Sequence, residues 1–193
     1  MTGIFGGAFD PPHNGHVALL HRARAALGLD DVVVVVAADP GHKVVETAAA
    51  TRLELARAAF PEERVLLDDH ARTVDLLRDH PEWEGGYFLV GADELASFPS
   101  WKEPGEVLRR VRLGVAMRPG FPRETLDPVL ARLAQPERVA FFDLEPFPIA
   151  SSELRARLDR GEDVHELVPA AVWSLIERDG LYGRPGYTET VDE

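Results

Sequence analysis

The chain has 193 residues, of which 45% are hydrophobic, which suits one packed α/β domain and excludes wholesale disorder. Its net charge of −12 argues against a protein that coats nucleic acid or a membrane surface, since either would need a basic face. The absence of cysteine excludes disulfides, a cysteine-ligated zinc site and a thiol nucleophile.

The amino-terminal segment carries no signal of export. It lacks a basic region followed by an apolar stretch, so we expect no signal peptide. No window approaches 18 consecutive apolar residues, so we expect no membrane span and a cytoplasmic protein.

Predicted strands and helices alternate along the chain. A short apolar run at residues 2–5 predicts a strand, and helical spacing predicts a helix at about 15–27, ended by Gly28. The valine run at 32–36 is typical of a strand that is buried on both faces of a parallel sheet. We then predict helices at 52–60, 74–78, 103–110, 123–133, 151–158 and 169–178, with strands at 65–67, 87–90, 112–117 and 139–142.

This order predicts an α/β fold, a Rossmann-like doubly wound parallel sheet with a small C-terminal helical piece. We expect one domain over residues 1–183 and a flexible polar tail at 184–193. Ligands of such sheets bind beyond the carboxyl ends of the strands. The loops expected there span residues 6–16, 37–44, 91–101, 118–122 and 145–152.

The first of these loops has the features of a phosphate site. Gly6 and Gly7 would let the backbone approach a ligand, and the start of the next helix offers N–H groups that suit phosphate. His13 and His16 are three residues apart, so both imidazoles can face one side, and Gly15 between them would leave room for a nucleotide.

A second helix start, near residue 151, has similar chemistry. Ser151 or Ser152 can cap the helix, and Arg155, one turn further on, can reach a phosphate held there. The chain contains neither a dinucleotide-binding glycine fingerprint nor a P-loop.

The string from Gly6 to His16 resembles the H-x-G-H loop of the nucleotidyltransferase superfamily. Its longer form, GGxFDPxHxGH, resembles that of the bacterial nicotinate mononucleotide adenylyltransferases. The resemblance implies that His13 and His16 contact the triphosphate of ATP. It also implies that the rest of the loop binds ATP, through Gly6, Gly7, Phe9 and Gly15.

Other segments resemble further motifs of that family. Residues 149–155 resemble I-S-S-T-x-I-R, with Ala150 replacing the first serine, which implies that Ser151, Ser152 and Arg155 bind the ATP phosphates. Residues 39–43 resemble its P-P-H-K loop, with Gly41 replacing a proline, which implies a catalytic role for Lys43.

Two single residues extend the resemblance, which covers residues 3–182. Asp93 matches the aspartate of a G-A-D motif that holds the adenosine end. Trp101 matches a tryptophan beside the nicotinate ring, where an aromatic face can stack on a pyridinium cation.

The largest departure from the family follows the strand at residues 65–67. Family members carry R-x-G-x-S-Y-T there, and this stretch helps to form the mononucleotide pocket. In this chain residues 67–77 read LDDHARTVDLL, so only Thr73 matches the final threonine and is the acceptor-binding candidate.

The resemblance implies transfer of AMP from ATP to nicotinate mononucleotide, a step of NAD biosynthesis, with Mg²⁺ accompanying ATP. No nucleic-acid or membrane partner is expected, and a homo-oligomer remains open. The alternatives are another acceptor, such as nicotinamide mononucleotide or another phosphorylated small molecule, or CTP as the donor. A nucleotide-binding protein of the same fold without turnover is the alternative from another class. A tRNA synthetase is disfavoured because the chain is short and acidic and lacks a K-M-S-K-S-like loop.

Overall fold

A six-stranded parallel sheet forms the centre of the molecule. The computed structural model describes residues 1–41, 44–117, 122–145, 147 and 149–183, so the predicted tail at 184–193 lies outside the described residues. The strand order is β3-β2-β1-β4-β5-β6, which confirms the predicted doubly wound α/β fold. The strands are β1 (Thr2–Gly7), β2 (Asp31–Ala37), β3 (Arg64–Asp68), β4 (Tyr87–Gly91), β5 (Arg112–Met117) and β6 (Val139–Asp143).

Eight α-helices lie in the described part of the chain. Four of them, α1, α2, α7 and α8, contribute leucine or valine side chains to the core on one face of the sheet, and α3, α4 and α5 do so on the other. None of the described helices has the length and apolar character that crossing a bilayer requires. The helices are α1 (Asn14–Leu27), α2 (Ala49–Ala59), α3 (Thr73–Asp79), α4 (Ala92–Ser97), α5 (Pro104–Arg110), α6 (Asp127–Leu130), α7 (Ser151–Asp159) and α8 (Ala170–Arg178).

The valine strand β2 is buried on both faces, as its sequence predicts. Val34 is buried in the core beside α1, and its neighbours Val33 and Val35 are buried in the core on the opposite face. Successive side chains of a strand point to opposite faces, so an unbroken apolar run needs a layer of helices on each side.

Two predicted segments are wrong. We expect a loop at residues 91–101, but this segment contains α4. The N–H of its N-cap residue, Gly91, donates to Glu94 Oε2 at 3.1 Å. Residues 123–133 were expected to form one helix, but the chain forms a 3₁₀ turn at Arg123–Leu126 and then the single turn α6. Pro128 lies in that first α-helical turn and has no N–H, so it cannot continue a helix from the preceding residues.

The direction of winding reverses between β1 and β4. From β1 the chain proceeds to β2 and β3 on one side, and β4, β5 and β6 lie on the other. The loops that follow β1 and β4 therefore diverge and leave a crevice at the carboxyl end of the sheet. Both predicted histidines belong to the loop and helix that follow β1, and Asp93 follows β4.

A fully buried arginine joins the segments beside this crevice. Arg52 of α2 is 1% exposed and donates to the carbonyl oxygens of Ala8 (2.9 Å), Ala37 (2.7 Å), Ala38 (2.8 Å) and Thr47 (3.2 Å). Burial lowers the pKa of its guanidinium, and the negative charge of Asp10 opposes that shift. One side chain therefore holds the loop after β1 against both ends of the segment between β2 and α2.

Replacing Arg52 with methionine should destabilise the protein, because it leaves buried carbonyl groups without their donors. We expect the Arg52→Met variant to lose about 3 kcal/mol of unfolding free energy in urea titrations. Arg57→Met, at an exposed position of the same helix, is the matched control and should stay within about 0.5 kcal/mol of wild type. Equal stability of the two variants would contradict this account of Arg52.

Candidate active site

The two predicted histidines cap the amino terminus of α1. His13 is the N-cap residue, and its Nδ1 accepts the N–H of Gly15 at 3.1 Å. His16, in the third helical position, reaches back so that its Nδ1 accepts the N–H of His13 at 3.2 Å. The two ring centroids lie 3.8 Å apart, so the imidazoles form one compact pair.

This capping fixes the tautomer of both rings. A nitrogen that accepts a backbone N–H cannot carry a proton, so a neutral His13 or His16 must carry its hydrogen on Nε2. Each neutral ring therefore carries its hydrogen on the nitrogen that does not bond to the helix backbone. Such a donor suits a phosphate oxygen and needs no positive charge on the imidazole.

The side chain of Phe9 packs against the histidine pair. Its backbone is in the left-handed region (φ 52°), its side chain is 1% exposed, and its ring centroid lies 5.2 Å from that of His16. The ring is therefore covered by other protein atoms in this structure.

The glycines of the first loop make room for side chains of the protein itself. A Cβ on Gly7 would lie 2.9 Å from the Phe9 ring, and one on Gly6 would lie 3.2 Å from the ring of Phe88. At Gly15 a Cβ would lie 2.7 Å from Phe147, whose ring is stacked on that of His13 at 5.4 Å. The space at Gly15 that we assigned to a nucleotide is therefore filled by Phe147 in this structure.

The second predicted motif docks on the first. Ser151 donates its hydroxyl to the carbonyl of Pro11 at 2.9 Å, and Nη1 of Arg155 donates to the carbonyl of Asp10 at 2.7 Å. The two motifs, about 140 residues apart in sequence, thus meet in one place. The predicted serine cap is wrong, because the N-cap residue of α7 is Ala150. The Ser151 hydroxyl bonds to the first loop instead, and Ser152 is exposed in the first turn of the helix.

A buried carboxylate that we did not assign connects these motifs. Asp10 is 1% exposed and accepts hydrogen bonds from Thr47 Oγ1 (2.6 Å), Glu46 N (2.6 Å) and Tyr182 Oη (2.7 Å). Burial, and next the charge of Asp10, raises the pKa of Tyr182, so its phenol stays protonated and donates. The last described residues of the chain are thereby tied to the histidine loop.

Sequence signals for the missed residues exist but are faint. Arg52 falls on the helical face shared by Leu55 and Ala59, which is where an amphipathic helix is expected to be apolar. A charged residue on that face indicates a buried partner, although it does not identify one. The predicted Lys43 lies outside the described residues. Arg52 is hydrogen-bonded to Ala38 before it, and Asp10 to Glu46 after it.

The candidates for the adenosine end of ATP and for the acceptor lie on elements that follow β3 and β4. Asp93 is exposed in the first turn of α4, and Thr73 begins α3. Trp101 is half-buried, with its ring 5.2 Å from Phe98. The residue after Trp101, Lys102, pairs with Asp75 of α3 at 2.9 Å, so the tryptophan segment is joined to the helix that Thr73 begins.

The loop that departs from the family is held by its own ion pairs. His70 Nδ1 lies 2.7 Å from Asp68 Oδ1, and His70 Nε2 lies 3.0 Å from Asp79 Oδ2. The hydrogen bond with Asp68 raises the pKa of His70, burial opposes the rise, and Asp79 adds to it. Both ring nitrogens of His70 therefore contact carboxylates, and these contacts order the loop without the glycine, serine and tyrosine of the family motif.

Comparison with known proteins is consistent with this geometry. A family model described as cytidylyltransferase-like matches residues 4–157. A probable nicotinate-nucleotide adenylyltransferase of Rubrobacter xylanophilus is 33% identical over 195 residues, which cover 94% of this chain and 91% of the relative. One from Thermus thermophilus is 37% identical over 192 residues, covering 93% and 98% of the two chains.

A solved structure has the same fold. Nicotinic acid mononucleotide adenylyltransferase of Plasmodium falciparum, complexed with NaAD, superposes with a TM-score of 0.77 at 19% identity and covers 95% of this chain and 98% of its own. At that identity the likeness concerns the fold alone. The family match over most of the sequence goes further, and by it the chain belongs to the cytidylyltransferase-like family of nucleotidyltransferases.

Proposed function

We propose that the chain is a nicotinate mononucleotide adenylyltransferase, which transfers AMP from ATP to nicotinate mononucleotide and releases pyrophosphate. The observation that carries the proposal is the meeting of two elements of phosphate-binding type: the histidine pair at the start of α1, and Arg155 of α7, which is hydrogen-bonded to the loop just before α1. Relatives of this name match over more than 90% of both chains, which supports the choice of substrates.

The proposed reaction needs donors and positioning more than a base. A phosphate oxygen of the mononucleotide attacks the α-phosphorus of ATP, the bond from that phosphorus to the bridging oxygen breaks, and pyrophosphate leaves with the electron pair. The second pKa of a phosphate monoester is about 6, so the nucleophile is already ionised at neutral pH. Catalysis then consists of aligning two anions and stabilising charge on the leaving group.

The described donors divide into direct and supporting roles. We assign His13 and His16 to the triphosphate through Nε2–H, with Arg155 and the exposed hydroxyl of Ser152 beside them. Ser151 supports the site by holding the Pro11 carbonyl. The role proposed for Lys43, contact with the leaving phosphates, rests on the sequence match alone.

Three residues keep proposed roles beyond the phosphates, one toward the adenosine end of ATP and two toward the acceptor. Asp93, exposed after β4, would bind the adenosine end, and Trp101, half-buried, would face the pyridinium ring. Thr73 would contact the mononucleotide from the start of α3.

The described residues contain no group of three or more side chains suited to holding a metal ion. The buried Asp10 carboxylate does not fit as a ligand, because hydrogen-bond donors already surround it. We therefore propose that Mg²⁺ enters bound to the phosphates of ATP, as part of that substrate, which is its usual mode with nucleotides.

Two other functions remain to be tested against this one. The loop at residues 68–73, ordered by His70 in place of the family motif, favours considering a different acceptor or a protein that binds nucleotide without turnover. CTP in place of ATP is the corresponding alternative for the donor.

Substitutions that keep the caps but remove the outer donors should separate folding from catalysis. Asn in place of His13 can still cap α1, and Gln in place of His16 can still complete the capping box, but neither has an imidazole Nε2–H. We expect each variant to unfold at nearly the wild-type urea concentration and to lose about 100-fold or more in kcat.

Alanine at either position serves as the comparison, because it should also cost about 1 kcal/mol of stability through the lost cap. Near wild-type kcat in both His13→Asn and His16→Gln would remove the imidazoles from the mechanism.

A substrate panel read by pyrophosphate release should identify both donor and acceptor. We expect the highest kcat/KM with ATP and nicotinate mononucleotide, and lower values with nicotinamide mononucleotide, other phosphorylated small molecules or CTP. A faster reaction with another pair would reassign the substrate. Binding of ATP in calorimetry without pyrophosphate release for any acceptor would instead support the non-catalytic alternative.

A further inference from the structure

The phosphate-type arginine of α7 is paired with a glutamate of the chain itself. Arg155 Nε donates to Glu46 Oε1 at 2.9 Å, and Glu46 comes from the segment just before α2. The arginine side chain is 10% exposed, whereas the glutamate side chain is 53% exposed. A solvated carboxylate thus lies on the outer side of a nearly buried guanidinium.

The remaining contacts of Arg155 fix its direction without neutralising it. Nη1 donates to the Asp10 carbonyl at 2.7 Å and Nη2 to the Val44 carbonyl at 3.2 Å, and both acceptors are uncharged. The Asp10 carboxylate is 3.9 Å away, and its own oxygens already accept three other hydrogen bonds. Glu46 therefore makes the close charged contact.

The Glu46 carboxylate can leave this position at little cost. Its backbone N–H is bound to Asp10 at 2.6 Å, so the segment stays in place while the side chain rotates into water. Water on the glutamate side of this pair screens its charge, and an arginine binds a phosphate with stronger, often bidentate contacts. A polyphosphate would therefore displace the carboxylate.

We propose that the Glu46 carboxylate is an internal anion, bound to Arg155 at the position that the triphosphate takes when ATP binds. It thereby lowers ATP affinity and aids pyrophosphate release. The inference rests on the proposed function, because it assumes that Arg155 receives the phosphates. Glu46 competes with the substrate for one side chain and thereby sets the KM for ATP.

The test replaces Glu46 with glutamine and measures binding of ATP, pyrophosphate and adenosine by calorimetry, together with KM for ATP. Loss of the competing charge should tighten ATP and pyrophosphate binding about two- to fivefold, the range set by exposed ion pairs. Adenosine, which has no phosphate, should bind as it does to wild type.

The matched control is Glu84→Gln. Glu84 is also 53% exposed and lies 2.9 Å from an arginine, Arg110, that is 16% exposed, but it precedes β4 and so lies at the opposite end of the sheet. This variant should leave ATP binding unchanged. A matching gain in both variants would mean that any lost negative charge tightens ATP binding, and would overturn the role of Glu46.

A double-mutant cycle tests whether the effect passes through Arg155. In an Arg155→Met background, which keeps the length of the side chain without its charge, Glu46→Gln should have no further effect on ATP affinity. An undiminished gain there, or unchanged ATP affinity in the single variant, would refute the inference. If the Met variant fails to fold, Arg155→Lys provides the background, in which the gain should shrink.

Failure of the proposed function is recognised separately. Wild-type protein that binds ATP but releases no pyrophosphate with any acceptor contradicts the transferase, while the binding comparison still decides the role of Glu46. Wild-type protein that binds neither ATP nor pyrophosphate contradicts both.

Discussion

The candidate site depends on the hydrogen bonds that the buried carboxylate of Asp10 accepts. It lies in the loop after β1, between the glycines and the histidines, and receives hydrogen bonds from Glu46, Thr47 and Tyr182. A charge removed from water is tolerated only when donors surround it, so each of these contacts is needed to keep it there. The positive charge of Arg52 nearby offsets part of the cost. Two distant parts of the chain, the segment before α2 and the end of the described residues at Tyr182, are thereby assembled around one loop.

That assembly also orients the histidine pair and Arg155. The helix cap turns Nδ1 of both His13 and His16 toward the backbone, which leaves the hydrogen of each neutral ring on the outer nitrogen. Arg155 is aimed by carbonyl groups of the same loop and of the segment beside it. The donors are therefore positioned before any ligand arrives, which is the condition for strong electrostatic stabilisation of a leaving group.

The loop at residues 68–73 is built differently from the family pattern. Asp68 and Asp79 hold His70 between them, and the Lys102–Asp75 pair joins the tryptophan segment to α3. These contacts are partly exposed, so they order the loop without adding much stability. The family motif and this arrangement can serve the same purpose by different means, and the substrate panel decides whether the same acceptor fits.

The sequence by itself determined the order of the six strands, most of the helices between them, the burial of the valine strand on both faces, and the two motifs that bear histidine and arginine. Those features are local: periodicity, a β-branched run and a loop string are complete within a few consecutive residues. The short helix α4 and the break at Pro128 were missed, because a few residues carry too little periodic signal to separate a turn from a helix.

Only the tertiary structure decided which groups meet. Nothing near Asp10 in sequence identifies Tyr182 as its donor, and nothing near Arg155 identifies Glu46 as its partner, because these pairs are 172 and 109 residues apart. The glycines likewise proved to accommodate Phe9, Phe88 and Phe147, whose rings reach them only after folding. Contacts of this kind depend on how the helices pack against the sheet, and no short window of sequence contains that information.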